Sequence, residues 1–264
     1  MVPDRPRGLH LAASWLTVLP VPQPPSPPDR TDGARVIAAV PVLGLLLGCA
    51  AAAIAFGLHH TALPALVIGA LCVVFGALIS RGMHVDGLAD TADGLGCYGD
   101  PERVRAVMRS GDIGPFGTAA LVLTLLLQAL AIGYLTVESR WYAIAFAIFL
   151  GRYTVVIACR RALAAANADG FGALVAGTQR TSIAVWTVLS AVLAVGAGWL
   201  DAPSGAGAFD WVPAVRALIA LAVVSVGAYA FTRHCARRMG GTSGDVLGAT
   251  LELSTTVALV ALLF

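Results

Sequence analysis

Lysine is missing altogether: the 17 basic residues among 264 are all arginine, set against 15 acidic residues for a formal charge of +2. Those arginines sit mostly in a few short loops, whereas a nucleic-acid binder would show a contiguous basic face. Charge of either sign is scarce, at 12% of residues beside 58% hydrophobic ones and a mean hydropathy of +0.82. A soluble domain carries about a quarter charged residues, so the composition excludes one and indicates an integral membrane protein. The five cysteines include Cys49, Cys72 and Cys159 inside apolar runs and Cys97 and Cys235 in loops, with no spacing that suggests a disulfide framework or a zinc site. No small-residue cleavage site follows the first apolar patch, so no removable signal peptide is expected. No repeat of twenty to fifty residues and no inverted symmetry is visible, and a single domain over 1–264 is expected.

What is present is a series of seven apolar runs, at 36–58, 63–79, 118–137, 141–159, 183–200, 212–231 and 246–264. Each is long enough, or nearly so, to cross a bilayer as a helix, which predicts an all-α polytopic transmembrane bundle of about seven spans. Arginines alternate between the intervening segments. Arg5, Arg7, Arg30 and Arg35 precede the first run, Arg81, Arg103, Arg105 and Arg109 follow the second, Arg160, Arg161 and Arg180 follow the fourth, and Arg233, Arg237 and Arg238 follow the sixth. The other segments carry one arginine, Arg140, or none. Positive charge marks the cytoplasmic side, so the N-terminus is expected inside and the C-terminus outside, with Trp141, Tyr142, Trp199 and Trp211 as an aromatic belt at the outer interface. Residues 9–19 are apolar but too short to span and read as an amphipathic helix at the interface. The proline-rich run 20–28 stops that helix, and 1–35 is thus an interfacial helix and a connector.

Acidic residues crowd into one stretch, Arg81-Gly-Met-His84-Val-Asp86-Gly-Leu-Ala-Asp90-Thr-Ala-Asp93-Gly, which continues to Gly117 as a cytoplasmic acidic region over 81–117. On a helix Asp90 lies about 40° and Asp93 about 20° from Asp86, so the three carboxylates share a narrow face. Such a cluster is tolerable when a hard cation neutralises it, and Mg²⁺ prefers carboxylate and phosphate oxygens. The bland alternative, a solvated acidic helix surface, is weakened by the membrane setting. A second acidic element opens the last run, where Gly240-Gly241-Thr-Ser-Gly244-Asp245 leads to Glu252, seven residues and nearly two turns on. A glycine-rich loop entering a helix N-terminus suits phosphate, although glycines in a membrane bundle also serve close packing. Glu252 inside an apolar helix calls for a partner or a role, and Arg152 likewise.

Arg81, Arg109, Arg160 and Arg161 lie on the same face as the acidic cluster and could supply the guanidinium half of a phosphate site. Arg103, Arg105, Arg237 and Arg238 read better as topology signals or contacts to anionic lipid. His84 lies two residues before Asp86 and off its face; it could relay a proton or be a buried, hydrogen-bonded histidine. Acidic cluster, arginines and glycine-rich loop together suggest Mg²⁺-dependent transfer from a pyrophosphate-activated donor, a carboxylate taking the proton of the attacking hydroxyl.

The chain resembles the cobalamin synthase family, also called adenosylcobinamide-GDP ribazoletransferase. The family's His-hydrophobic-Asp-Gly-Leu-Ala-Asp-Thr-Ala-Asp-Gly pattern appears at His84 to Gly94, and its following stretch is similar to Met108 to Gly117. Leu16 to Pro22 is similar to the family's N-terminal Leu-Thr-x-x-Pro-x-Pro, and Gly244 to Glu252 to its C-terminal Gly-Asp-x-x-Gly-Ala-x-x-Glu. One departure is Arg109-Ser110-Gly111-Asp112, where the family often reads Lys-Asp-Ser-Arg. The resemblance implies an inner-membrane enzyme, active on the cytoplasmic face, that joins adenosylcobinamide-GDP to α-ribazole or its 5′-phosphate with Mg²⁺ and releases GMP. Its partners would be those small molecules and the lipid bilayer, with no nucleic acid and an oligomer left open. The expected catalytic set is His84, Asp86, Asp90 and Asp93, the metal set Asp86, Asp90, Asp93, Asp245 and Glu252, and the substrate contacts Arg81, Arg109, Asp112, Arg160, Gly241 and Gly244. Two rivals are a phosphatidyl-type transferase using a CDP-activated lipid, whose Asp-Gly-x-x-Ala-Arg start this chain lacks, and a cation transporter, which would bury these acids deep in the spans.

Overall fold

The computed structural model describes residues 7–22, 27–202 and 208–264, which leaves Arg5 and the middle of the proline-rich connector outside the described residues. Eleven helices follow one another among them: α1 (Arg7–Leu16), α2 (Arg30–His59), α3 (Ala65–Ile79), α4 (Met83–Gly96), α5 (Pro101–Met108), α6 (Pro115–Val137), α7 (Trp141–Ala158), α8 (Gly170–Val175), α9 (Thr181–Leu200), α10 (Trp211–Met239) and α11 (Gly244–Ala261). No strand occurs among the described residues, which makes the chain an all-α polytopic bundle. Six helices, α2, α6, α7, α9, α10 and α11, are long and apolar enough to cross a membrane, and a seventh crossing exists only if α3 and α4 are counted together.

Those two helices meet at 91°. Arg81 and Gly82 both adopt positive φ, 56° and 71°, and the Gly82 N–H bonds back to the Ala77 carbonyl at 2.8 Å, which closes α3 in the manner of a left-handed C-cap. The second expected run is therefore a 15-residue helix, and α4 turns out of its line at this break. Elsewhere the helices outrun their apolar stretches. Asp29 forms a capping box with Asp32, so α2 starts at Arg30 rather than at 36. α10 continues past 231 to Met239, because Cys235 and Met239 bury against Val104 and Met108 of α5.

α7 runs through the centre, with Phe149 and Tyr153 wholly buried. The outward faces of α3, α6, α9 and α10 remain apolar and exposed, including Leu78, Val122, Val192 and Val226, as a lipid-facing surface requires. One end of the bundle gathers the aromatic groups: Trp141 packs on His59 at 5.5 Å, and Phe209 lies 4.4 Å from Trp199 and 4.7 Å from Trp211. Arg140 at that end bonds the Leu262 carbonyl at 2.6 Å and pairs with Asp201 at 3.6 Å, which fixes the start of α7 against the ends of α9 and α11. The acidic helix and the N-terminus of α11 lie at the opposite end. α1 packs along α2, burying Leu11 and Ala12 against Val36, Ile37 and Val40.

Candidate active site

The site is built where α11 begins against α4. Gly87 of α4 presents no side chain, and a Cβ there would come within 2.8 Å of the Asp245 backbone. Gly248 of α11 answers it one turn on, where a Cβ would stand 3.1 Å from the Cα of His84. Two small residues facing each other let the main chains touch, a packing mode common between membrane helices. The consequence is that Asp245 is brought beside Asp86 and Asp90, with Asp86 exposed and the other two half-buried. Asp90 records this crowding: burial first, then the carboxylates of Asp86, Asp245 and Asp93, push its pKa up to about 6.

Asp93 shares the helix face but has a different employment. Its carboxylate accepts the N–H of Gly114 at 2.7 Å and of Gly117 at 2.9 Å, and so caps the start of α6. It is 8% exposed and leaves the metal set for this reason. Glu252 leaves it too. It is buried on α11 below the cluster, where it accepts a 2.9 Å bond from Gln128 and lies 4.0 Å from His84 Nδ1. Neither Arg152 nor Arg216 pairs with it within 4 Å among the described residues.

The arginines separate in the same way. Arg109, exposed, bonds Asn167 at 3.3 Å and lines a small hollow together with Arg105, Ser243 and Asp245, so it stays at the acidic end. Arg160 is directed the other way: its guanidinium bonds Thr232 at 2.7 Å and stacks 4.3 Å above the Tyr229 ring, burying it against α10. Arg160 is thus a structural cation, and the expected phosphate contact is corrected. Arg81 bonds the Trp15 carbonyl at 3.1 Å, completing the C-terminal turn of α1 rather than facing the carboxylates. Asp112 is exposed in the turn before α6, its N–H on the Ser110 hydroxyl at 3.4 Å.

The glycine-rich loop is a backbone clamp. Thr242 N–H bonds the Ala164 carbonyl at 2.9 Å and Ala166 N–H bonds the Thr242 carbonyl at 2.8 Å, and Gly241 has no room for a Cβ against Ala165. Gly241 therefore serves close approach, while Gly244 opens α11 and lines a larger cavity. That cavity, of about 460 Å³, runs from Asp86, Asp245 and His84 in between α1, α2, α7 and α8. Its aromatic wall, Trp15 and Phe171, gave little sign in the sequence: a lone tryptophan in an apolar patch and a phenylalanine between two glycines.

Among the described residues no three His, Cys, Asp or Glu side chains enclose a metal ion by themselves. Mg²⁺ does not need such a cage, since it usually keeps waters and takes one or two carboxylates together with substrate phosphates. The donor set of Asp86, Asp90 and Asp245, hard oxygens in mutual repulsion, fits that habit.

Fold and site together define a polytopic membrane protein with a cluster of carboxylates, Asp86, Asp90 and Asp245, where α4 meets α11 at one end of the bundle. Comparison with known proteins is specific. A family model described as cobalamin-5-phosphate synthase matches residues 8–263, and the chain belongs to that family. A relative from Corynebacterium efficiens named adenosylcobinamide-GDP ribazoletransferase is 36% identical, over 98% of this chain and 91% of its own. Proteins of the same name from Frankia casuarinae and Pseudomonas fluorescens are 36% and 33% identical, over 95% and 96% of this chain and 92% and 98% of theirs. No solved structure matches the chain.

Proposed function

We propose that this chain is the transferase that joins adenosylcobinamide-GDP to α-ribazole or α-ribazole 5′-phosphate and releases GMP, with Mg²⁺, at the cytoplasmic face of the inner membrane. The observation that carries the reading is the contact of α11 with α4 at Gly87, which sets Asp245 beside Asp86 and Asp90 in a chain of this family. Asp86, Asp90 and Asp245 would offer the ion one or two carboxylates, water and donor phosphate oxygens completing its shell, and Mg²⁺, when bound, neutralises charge on the pyrophosphate as it separates.

The chain's own residues perform the remaining work. Arg109, at the acidic end and free of any carboxylate partner among the described residues, would take a donor phosphate oxygen through its two-pronged guanidinium. A ribose hydroxyl of the acceptor attacks the phosphorus on the cobinamide side. The bond from that phosphorus to the bridging oxygen breaks, the oxygen departs with GMP, and the hydroxyl proton passes to a carboxylate. We assign this last role to Asp90, half-buried beside Asp86 and Asp245 where α4 meets α11.

The test is an assay of membranes containing the chain with adenosylcobinamide-GDP, α-ribazole and Mg²⁺, following both the corrinoid product and GMP. Equal release of both, abolished by Asp86→Asn, is expected. GMP released without a corrinoid product, or no turnover in membranes that contain the folded chain, would overturn the proposal.

A further inference from the structure

The cavity behind the carboxylates is far more apolar than a phosphate-handling site requires. Its depth is walled by α2, through Ile37, Val40 and Leu43, and by Leu247 and Leu251 of α11. Polar groups line only the end where α4 and α11 meet, with Arg152 on the α7 side. Trp15 and Phe171 stand edge to face, 6.4 Å between ring centres, and both line it. Gly244, at the start of α11, lies beside Phe171 on the floor of the cavity. A volume of about 460 Å³ lies within the roughly 300–1,000 Å³ of small-molecule sites, which are likewise mostly apolar with a few polar groups at one side.

We infer that this cavity is the acceptor site: it takes a flat, apolar bicyclic heteroaromatic base against the wall formed by Trp15 and Phe171, with the attached ribose directed at Asp86 and Asp245. The inference rests on the function proposed above and adds where the acceptor sits and what selects it. The donor's two large parts do not suit the space. A corrin ring with its amide side chains far exceeds it, and guanine would leave several hydrogen-bonding groups unpaired against leucine and valine. Ribazole carries a benzimidazole whose benzo edge bears only methyl groups, so nothing polar is stranded when that edge goes in first. An aromatic base packed on either ring would also gain the edge-to-face or offset contact that an aliphatic chain lacks. Arg81 and the Trp15 carbonyl hold the end of α1 in place, so the wall supplied by the N-terminal helix is tied to the start of the acidic helix. The part of the chain ahead of the first span thereby becomes a specificity element.

The test uses the full chain in detergent micelles and in phospholipid nanodiscs. Phe171→Ala is expected to raise KM for α-ribazole about tenfold, the size of losing one aromatic contact and its burial, while KM for adenosylcobinamide-GDP stays within about twofold. Phe171→Tyr should recover most of the loss. Free dimethylbenzimidazole should compete with α-ribazole and not with the donor. With the acceptor alone, without donor or Mg²⁺, tryptophan fluorescence should quench in the wild type and not in Trp15→Phe. If wild type turns over but Phe171→Ala keeps its acceptor KM and the free base does not compete, this inference fails and the function stands. Quenching by added phospholipid in micelles, and none by α-ribazole, assigns the cavity to an acyl chain and overturns it as well. Absence of turnover in the wild type sinks the functional reading instead, and the fluorescence arm then still decides whether the base binds.

Discussion

Replacing Asp93 separates the architecture of this site from its chemistry. Three aspartates share one face of α4, yet only Asp93 has both carboxylate oxygens engaged by main-chain N–H groups, at 2.7 and 2.9 Å. Removing an N-terminal cap costs about 1 kcal/mol on average, and a hydrogen bond to an ionised acceptor contributes about 1.5–3 kcal/mol. Gly117 is buried, so Asp93→Ala leaves an N–H without water or partner. Allowing for partial relaxation at the more open Gly114, the loss should come to about 2–4 kcal/mol, with Asp93→Asn in between because one acceptor oxygen survives. The assay is thermal unfolding in detergent alongside a Mg²⁺ titration of GMP release. Asp93→Ala should unfold several degrees early at every Mg²⁺ concentration, and the folded fraction should keep the wild-type Mg²⁺ half-saturation. Gly117→Ala should behave in the same way, since its Cβ would collide with the same carboxylate. A variant that unfolds like wild type but demands much more Mg²⁺ would refute the reasoning and return Asp93 to the metal.

Four further outcomes follow from the structure. Asp90→Asn and Asp245→Asn should each lower turnover steeply, and the double variant should lose much less than the sum of the two, since both act on one site; independent effects would separate the helices functionally. Arg160→Ala should lower the unfolding temperature through loss of its Thr232 bond and its place over Tyr229, and leave donor KM unchanged; a raised donor KM with normal stability would restore it to the substrate set. With Cys97 replaced by serine, a cysteine at the exposed Glu102 should resist a membrane-impermeant thiol reagent in intact cells, because four arginines mark that segment as cytoplasmic, and ready labelling would reverse the topology. Burial pushes the Asp201 carboxyl up to about 6, with Arg140 opposing the shift. A carboxyl raised in this way binds its proton more tightly folded than unfolded, so its contribution is complete below about pH 4 and lost as pH rises toward 6. Wild type should therefore lose stability relative to Asp201→Asn across that window, and a constant difference between them would contradict the burial argument.

The spans were legible because apolar run length and arginine placement are local properties of the sequence, and α2, α6, α7, α9, α10 and α11 lie where those runs do. The meeting of Asp245 with the Asp86 helix was legible too, since carboxylates without basic neighbours had to find company. What could not be read was which of several chemically alike residues a distant segment would claim. Asp93 is claimed by backbone N–H groups 21 and 24 residues on, Glu252 by Gln128 at a separation of 124, and Arg160 by Thr232 at a separation of 72. Helical spacing puts such residues on a face and says nothing of what the face meets. The second run ends where α3 does, at Ile79, but the 91° turn after it was not legible, because Arg81 adopts a left-handed conformation that its residue type does not advertise.

The contact at Gly87 also fixes the tolerance of the machine. Because α4 and α11 touch main chain to main chain, the gap between their carboxylates is gauged by two rods and not by adjustable side chains. A longer acid cannot be accommodated by letting the helices drift apart, for Gly248 and His84 clamp the next turn. Any change of reach at Asp86, Asp90 or Asp245 must be absorbed by whatever lies between them, so substitution by glutamate should narrow the space for the proposed ion and favour a smaller divalent cation over a larger one.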